Sequence, residues 1–88
     1  MTLSELDHGS LATVSEVVEH VPGDAIARRL RVLGFVDGEP VRIVGAAPLG
    51  GDPLLVQVGF TRFALRRSEA ARVKIRAHGP KPEPGAGR

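Results

Sequence analysis

Cysteine, tryptophan and tyrosine are all missing from this 88-residue chain, and Phe35, Phe60 and Phe63 are its only aromatic residues. Without cysteine, disulfides and thiolate metal sites are excluded, which fits a cytosolic protein without requiring one. Without tryptophan or tyrosine, the aromatic groove that reads proline-rich peptides cannot be assembled. The same shortage leaves few platforms on which bases could stack. No apolar run approaches the roughly 20 residues of a membrane-spanning helix, so direct membrane insertion is not expected. The N-terminus has neither the basic start nor the long apolar stretch of a secretory signal. These absences predict a soluble, cytoplasmic domain.

What is present is aliphatic: Val, Leu, Ala and Ile supply most of the 42% apolar content. A chain of this length is one domain, near the lower limit for a self-sufficient core. Lining a deep substrate pocket would take side chains that such a core needs. The net charge is only +2, but it is unevenly spread. Residues 1–24 contain Glu5, Asp7, Glu16, Glu19 and Asp24 with no Lys or Arg. Residues 62–76 contain Arg62, Arg66, Arg67, Arg72, Lys74 and Arg76 against Glu69 alone. Such a split either orients a basic flank toward an acidic partner or reflects neighbouring strands whose opposite charges pair across the surface.

Thr2, with Glu5 three residues on, has the pattern of a capped turn that points Leu3 and Leu6 the same way. Asp7-His8-Gly9-Ser10 reads as a turn. Leu11 to Val21 is rich in Val and Thr and predicts a strand; its alternation breaks near Glu16-Val17-Val18, where a bulge would account for it. Pro22-Gly23-Asp24 ends that strand, and Asp24 suits a helix N-terminus both as a cap and as an anion. Ile26, Leu30 and Leu33 fall at i, i+4 and i+7 and predict one buried stripe. Arg28, Arg29 and Arg31 lie off it, and Gly34 suits the left-handed closing position.

Three strands are predicted next, at Val41 to Ala46, Leu54 to Val58 and Phe63 to Leu65, the last two joined as a hairpin through Gly59. Ser68 to Ala71 reads as one helical turn capped by Ser68, and Val73 to Arg76 as a final strand. From His78 onward the tail, residues 78–88, has no apolar periodicity and is expected to be disordered. That leaves residues 1–77 as the folded domain. So few elements cannot build two full layers. The economical solution is mainly β: a small SH3-like barrel of about five strands with one inserted α-helix and a short helical turn.

No catalytic grouping is visible. His8, His20 and His78 fall in a turn, a strand end and the tail, and none is ordered with Ser10, Ser15 or Ser68 as nucleophile and base. Gly50-Gly51 lacks the Lys-Ser/Thr and the following helix of a phosphate loop. The chain reads as a protein that is not an enzyme and needs no cofactor. A metal centre requires several converging ligands, whereas strand alternation sends Glu19 and His20 to opposite faces. His8 and His20 remain as weak surface candidates for metal capture, each able to fill one coordination position.

Four segments stand in order: Leu3-x-x-Leu6 followed by Gly9; Arg29-Leu30-x-x-Leu33-Gly34-Phe35; Pro48-Leu49-Gly50-Gly51-Asp52-Pro53; and Ala64-Leu65-Arg66-x-x-Glu69-Ala70. In this order and spacing they resemble the FeoA family of small ferrous iron transport proteins, from about Thr2 to Ala77. Two departures are visible. Asp37-Gly38 stands where the family commonly has Pro-Gly, a change that turn chemistry tolerates. Gly51 is an extra residue in the family's Pro-Leu-Gly-Asp-Pro loop.

The resemblance implies an SH3-like fold and a cytoplasmic accessory role for FeoB, the membrane iron permease with a GTP-binding domain. It implies regulation of that partner's nucleotide cycle or assembly, not transport by this chain. The candidate partner-binding residues are Arg28, Arg29 and Arg31 on the exposed helix side, and Leu49, Gly50, Gly51 and Asp52 in the loop. Phe35 and Phe60 would join them as apolar anchors if exposed, because Arg and aromatic residues dominate interface energetics. Two alternatives stand beside this reading. One is a basic SH3-like module that tracks phosphates with Arg62, Arg66, Arg67, Arg72, Lys74 and Arg76; the low net charge and scarce aromatics argue against nucleic acid. The other is a domain related to the SH3-like domains of DtxR-type metal-dependent repressors, a likeness of fold alone. An open edge strand would also allow a weak homodimer.

Overall fold

A computed structural model of the chain describes residues 1–48 and 50–77. Leu49, His78 and the tail, with the expectation that it is disordered, lie outside the described residues. The chain opens with a 3-10 turn at Leu3–Glu5. There the Thr2 N–H donates to Glu5 Oε1 at 2.6 Å, and the Glu5 N–H donates to the Thr2 carbonyl at 2.9 Å. This reciprocal closure drives Leu3 into the core, where it is fully buried.

The elements that follow are β1 (Leu11–Val17), α1 (Ala25–Leu33), β2 (Pro40–Ala46), β3 (Leu54–Val58), β4 (Thr61–Leu65), α2 (Arg67–Ala70) and β5 (Val73–Ala77). The strands form one antiparallel sheet in the order β4-β3-β2-β1-β5. β4 and β5 share no ladder, so the sheet curls without closing and "barrel" is too strong a word for it. α2 joins these two strands in sequence. One face of the sheet supplies the core through Ala12, Val14 and Val17, Val41 and Ile43, Leu54, Val56 and Val58, Leu65, and Val73 and Ile75.

The period-2 pattern fails at two places, and both are bulges. The β1–β5 register shifts between Val14 and Glu16, earlier than the Glu16-Val17-Val18 break in the sequence suggests. β1 then ends at Val17, and the segment to Asp24 leaves the ladder. The second shift, between Ile43 and Gly45 in the β2–β3 pair, falls where apolar Val44 follows Ile43 and a glycine stands inside the strand. Each bulge adds twist, which helps a short sheet wrap around α1.

Helix α1 begins and ends as its sequence predicts. Asp24 Oδ1 accepts the N–H groups of Ile26 at 3.0 Å and Ala27 at 3.4 Å, two donors that have no partner inside the helix. Gly34 closes the helix with φ 114°, and the Phe35 N–H returns to the Leu30 carbonyl at 3.1 Å. The buried stripe is rotated slightly from expectation. Ala27 and Leu30 are fully buried, whereas Ile26 and Leu33 are only partly so. The methyl of Ala27 lets the helix backbone approach the sheet closely. The second helix also differs: α2 starts at Arg67, and the Arg66 N–H donates to Glu69 Oε1 at 2.8 Å. Ser68 therefore lies inside α2 and is not its cap, because Glu69 reaches back to the residue three places earlier.

At Gly34 nothing lies within 4 Å of where a Cβ would stand, so the demand for glycine comes from the backbone angle alone. Gly34→Ala and Gly34→Val should both lower stability by about 1–2 kcal/mol, read from urea or thermal unfolding. A large loss for Val with none for Ala would point to crowding instead.

Candidate partner-binding face

Asp24 is 4% exposed and is the buried charged residue of the core. Its Oδ1 caps α1, and its Oδ2 accepts the His20 N–H at 2.9 Å and Arg72 Nε at 2.7 Å. Arg72 also donates through Nη1 to the Ser68 carbonyl at 2.7 Å. One carboxylate thus ties the start of α1 to the segment joining α2 and β5. The His20 N–H, followed by the Arg72 guanidinium, holds the Asp24 carboxyl far below the usual carboxylate range, against the opposing effect of burial.

From this anchor, α2 organises one flank of the molecule. The Arg67 N–H donates to Asp52 Oδ1 at 3.0 Å, its Nε to the Gly51 carbonyl at 3.1 Å, and its Nη1 to the Ser4 carbonyl at 3.4 Å. The loop from Gly50 to Asp52 is therefore pinned to α2. Gly51 has φ 66°, and a Cβ there would meet the Arg67 guanidinium at 3.1 Å, so the extra loop residue has to be glycine for this tie to form. On the helix side, Arg29 lies 3.7 Å from Glu69 with its side chain 64% exposed. Arg29, α2 and the Gly50–Asp52 loop form one contiguous face.

The other predicted positions divide. Arg28 is exposed and its side chain makes no hydrogen bond or ion pair with the described residues. Arg31 donates through Nη2 to the Val17 carbonyl at 2.9 Å, on the opposite flank, and so helps fix the helix against β1. Phe35 is 1% exposed, with its ring 6.2 Å from that of Phe63. It seals the core and is unavailable as a surface anchor, because Gly34 turns the chain back under the helix. Phe60 is fully exposed. His8 and His20 are exposed, and the described residues contain no group of three or more His, Cys, Asp or Glu able to hold a metal ion.

Sequence reasoning missed Arg67 as the organiser of this flank. The basic run marks it only as one cation among six, and no spacing rule links it to Asp52. Instead of a surface pair between strands, Arg72 and Asp24 form a buried pair at the start of α1, and Glu16 stands opposite Lys74 across the β1–β5 ladder. Among the described residues, no acid forms an ion pair with the side chain of Arg62 or Arg66.

An open antiparallel sheet, a helix seated over it and a pinned loop define a small SH3-like module. Among the described residues no helix is long and apolar enough to cross a membrane. The chain belongs to the FeoA family of ferrous iron transport: the FeoA domain profile matches residues 1–77. An FeoA from Stenotrophomonas maltophilia, solved in complex with zinc and described as a prokaryotic SH3-domain protein, is 64% identical, with a TM-score of 0.80 over 85% of this chain and 88% of that one. The solution structure of FeoA from Chlorobium tepidum is 34% identical, with a TM-score of 0.76 over 100% of this chain and 85% of that one. A fusion of Fe(2+) transport protein A with the Fe(2+) transporter FeoB, from Porphyromonas gingivalis, is 36% identical over 76 residues. That match takes in 85% of this chain but spans 8% of the fusion protein.

The depressed Asp24 carboxyl stays ionised in the folded chain, whereas an unfolded aspartate titrates near pH 4, at about 3.9. The folded state then binds fewer protons in that range. The stabilisation is complete above the unfolded value and is lost as pH falls toward the folded one. Thermal melts at successive pH values should therefore show the midpoint dropping below about pH 5. Asp24→Asn should melt lower than the parent at neutral pH and show a flatter acid limb. An unchanged acid slope in that variant would assign it to other carboxylates.

Proposed function

We propose that this protein is a cytoplasmic accessory protein of ferrous iron uptake that binds the cytoplasmic, GTPase-containing region of a FeoB-type permease. The observation that carries this reading is the relative in which Fe(2+) transport protein A and FeoB are one polypeptide. Covalent linkage turns association into an intramolecular event at high effective concentration, an arrangement suited to modules that act on each other. Transport belongs to the permease in this reading, and the small domain influences its nucleotide cycle or assembly.

The contact surface in this proposal is the α1–α2–loop flank. Arg28 and Arg29 offer extended cations, and Gly50, Gly51 and Asp52 present a loop whose shape Arg67 already fixes. A pre-shaped loop loses less conformational entropy when it docks. Leu49 is assigned to this contact from the loop's sequence. Arg31 takes a smaller share, since its guanidinium is engaged with Val17.

Retention of this protein on the immobilised cytoplasmic region of FeoB, together with GTPase rates measured with and without it, tests the reading. The paired reversal Arg28→Glu/Arg29→Glu should weaken retention by about tenfold or more. Unchanged retention would remove the helix from the contact, and no retention of the parent would overturn the partner assignment.

His8 and His20 are assigned surface metal capture only, since each contributes a single ligand. Calorimetric titration with Zn²⁺ and Fe²⁺ should show no site tighter than micromolar, with any heat reduced in His8→Ala or His20→Ala. Sub-micromolar binding lost in either variant would establish a built site and reverse this assignment.

A further inference from the structure

The β3–β4 hairpin turns through two residues, Gly59 and Phe60, closed by the Val58–Thr61 pair. Gly59 has φ 59° while Phe60 stays at negative φ, the signature of a II′ turn. Counting from that closing pair, antiparallel alternation turns the N–H and C=O groups of Arg62 and Ala64 away from β3. β4 ends the sheet, and these four backbone groups have no other partner among the described residues. The opposite end differs. Thr2 bridges Lys74, and the Met1 carbonyl accepts the Ile75 N–H at 3.0 Å. Among the described residues, one edge of the sheet is bridged at Lys74 and Ile75 and the other is bare.

The side chains along the bare edge are sorted by the same alternation. Phe60, Arg62, Ala64 and Arg66 face solvent, while Phe63 and Leu65 turn to the core. Arg62 donates through Nε to the neutral amide of Gln57 at 3.1 Å, and Arg66 keeps an extended backbone at φ −66° and ψ 151°. Past Ala64 the edge borders a groove of about 300 Å³ lined by Arg29, Pro53, Ala64, Arg66 and Glu69. Glu69, its one acid, is already engaged by the Arg66 N–H and by Arg29. The Arg66 N–H, taken by Glu69, also sets where any added ladder must stop.

We propose that β4 is a docking edge for an extended acidic segment of a partner protein, which adds beside it as a further strand. Residues directly opposite on paired strands share a face, and Arg62 and Arg66 are four residues apart with Ala64 midway. The matching segment therefore carries carboxylates at i and i+4, opposite the two arginines, and a small or apolar residue at i+2, opposite Ala64. Backbone bonds to Arg62 and Ala64 hold the strand, and the charges select its sequence.

Charge decides between occupants. Antiparallel pairing of two copies centred on Ala64 would set Arg62 of each against Arg66 of the other. Pairing centred on Phe63 would set Arg62 diagonal to Arg62 and Arg66 of the other copy, so either register gathers cations with no acid between them. A nucleic acid has no strand-spaced N–H and C=O groups to match the bare edge, and Phe60 is its single stacking surface. The proposal is independent of the FeoB reading, because the edge selects a sequence pattern that any protein can present.

The test uses the full chain, labelled with ¹⁵N, and an end-capped peptide, Thr-Glu-Thr-Val-Thr-Glu-Thr, which reads the same in both directions. The peptide should move the amide resonances of Arg62 and Ala64, and added salt should weaken the effect. Arg62→Glu/Arg66→Glu in the protein, or Lys for both Glu in the peptide, should reduce affinity about tenfold or more. Pro for the central Val keeps both charges but removes one ladder donor, and should reduce affinity similarly. Three results would each overturn the proposal: Arg62 and Ala64 amides unmoved by the acidic peptide, the Pro peptide binding as tightly as the parent, or a single-stranded oligonucleotide moving those amides where the peptide does not. Concentration-dependent shifts there without peptide would assign the edge to a second copy and overturn it as well. The peptide variants change nothing in the protein, so the outcome does not depend on how the charge-reversed chain folds. Failure of FeoB retention leaves the peptide result standing, and the reverse also holds.

Discussion

Burying a carboxylate costs a great deal unless its oxygens are met by donors, and in this small domain Asp24 meets that demand from three directions. Its two oxygens take the first free N–H groups of α1, the His20 N–H and the Arg72 guanidinium. Because Arg72 stands just before β5 and also holds the Ser68 carbonyl, the same carboxylate positions α2. α2 in turn carries Arg67, which fixes the Gly51–Asp52 turn. Helix, sheet edge and loop are therefore tied together by one electrostatic chain that runs beside the aliphatic core.

The parts of this architecture legible in the sequence are those set by single residues with narrow conformational or chemical roles. Asp24 and Gly34 marked both ends of α1, and the alternation of Leu54, Val56 and Val58 marked β3, with bounds that the structure reproduces. The positions that resisted reading depend on partners far along the chain. Whether β4 and β5 would join to close the sheet is a matter of strand tilt and of what α2 occupies, and neither has a local pattern. The burial of Phe35 follows from the turn after Gly34 and from contact with Phe63, a pairing no periodicity announces. The bulge in β2 falls at Ile43-Val44-Gly45, where two adjacent apolar residues and a glycine mark a break that the alternation of Val41 and Ile43 alone does not show. Arg67 looked like one more surface cation because its three acceptors come from the Ser4 end of the chain and from the loop.

The candidate site shows the same division. The resemblance drew attention to the helix arginines and to the loop, and the structure places Arg29 and the loop on one face while assigning Arg31 to the opposite side and Phe35 to the interior. The surface of the module carries cations on a short helix, a loop held in one shape, and a hairpin that ends in an exposed ring. The α1–α2–loop flank and the β4 edge meet at Arg29 and Arg66 around a common groove. Two contacts could thus be made side by side by one partner, or by two partners that would then compete for the space between them.

The bridge between Thr2 and Lys74 has a further consequence. A sheet with two bare edges can propagate, each added strand exposing a new site, and this is the geometry from which fibres grow. Here residues at the start of the chain bridge the outer side of β5 at Lys74 and Ile75, which leaves β4 as the edge open to addition among the described residues. A chain with one usable edge can join at most one neighbour through its own sheet, which works against the open-ended stacking that fibre growth requires.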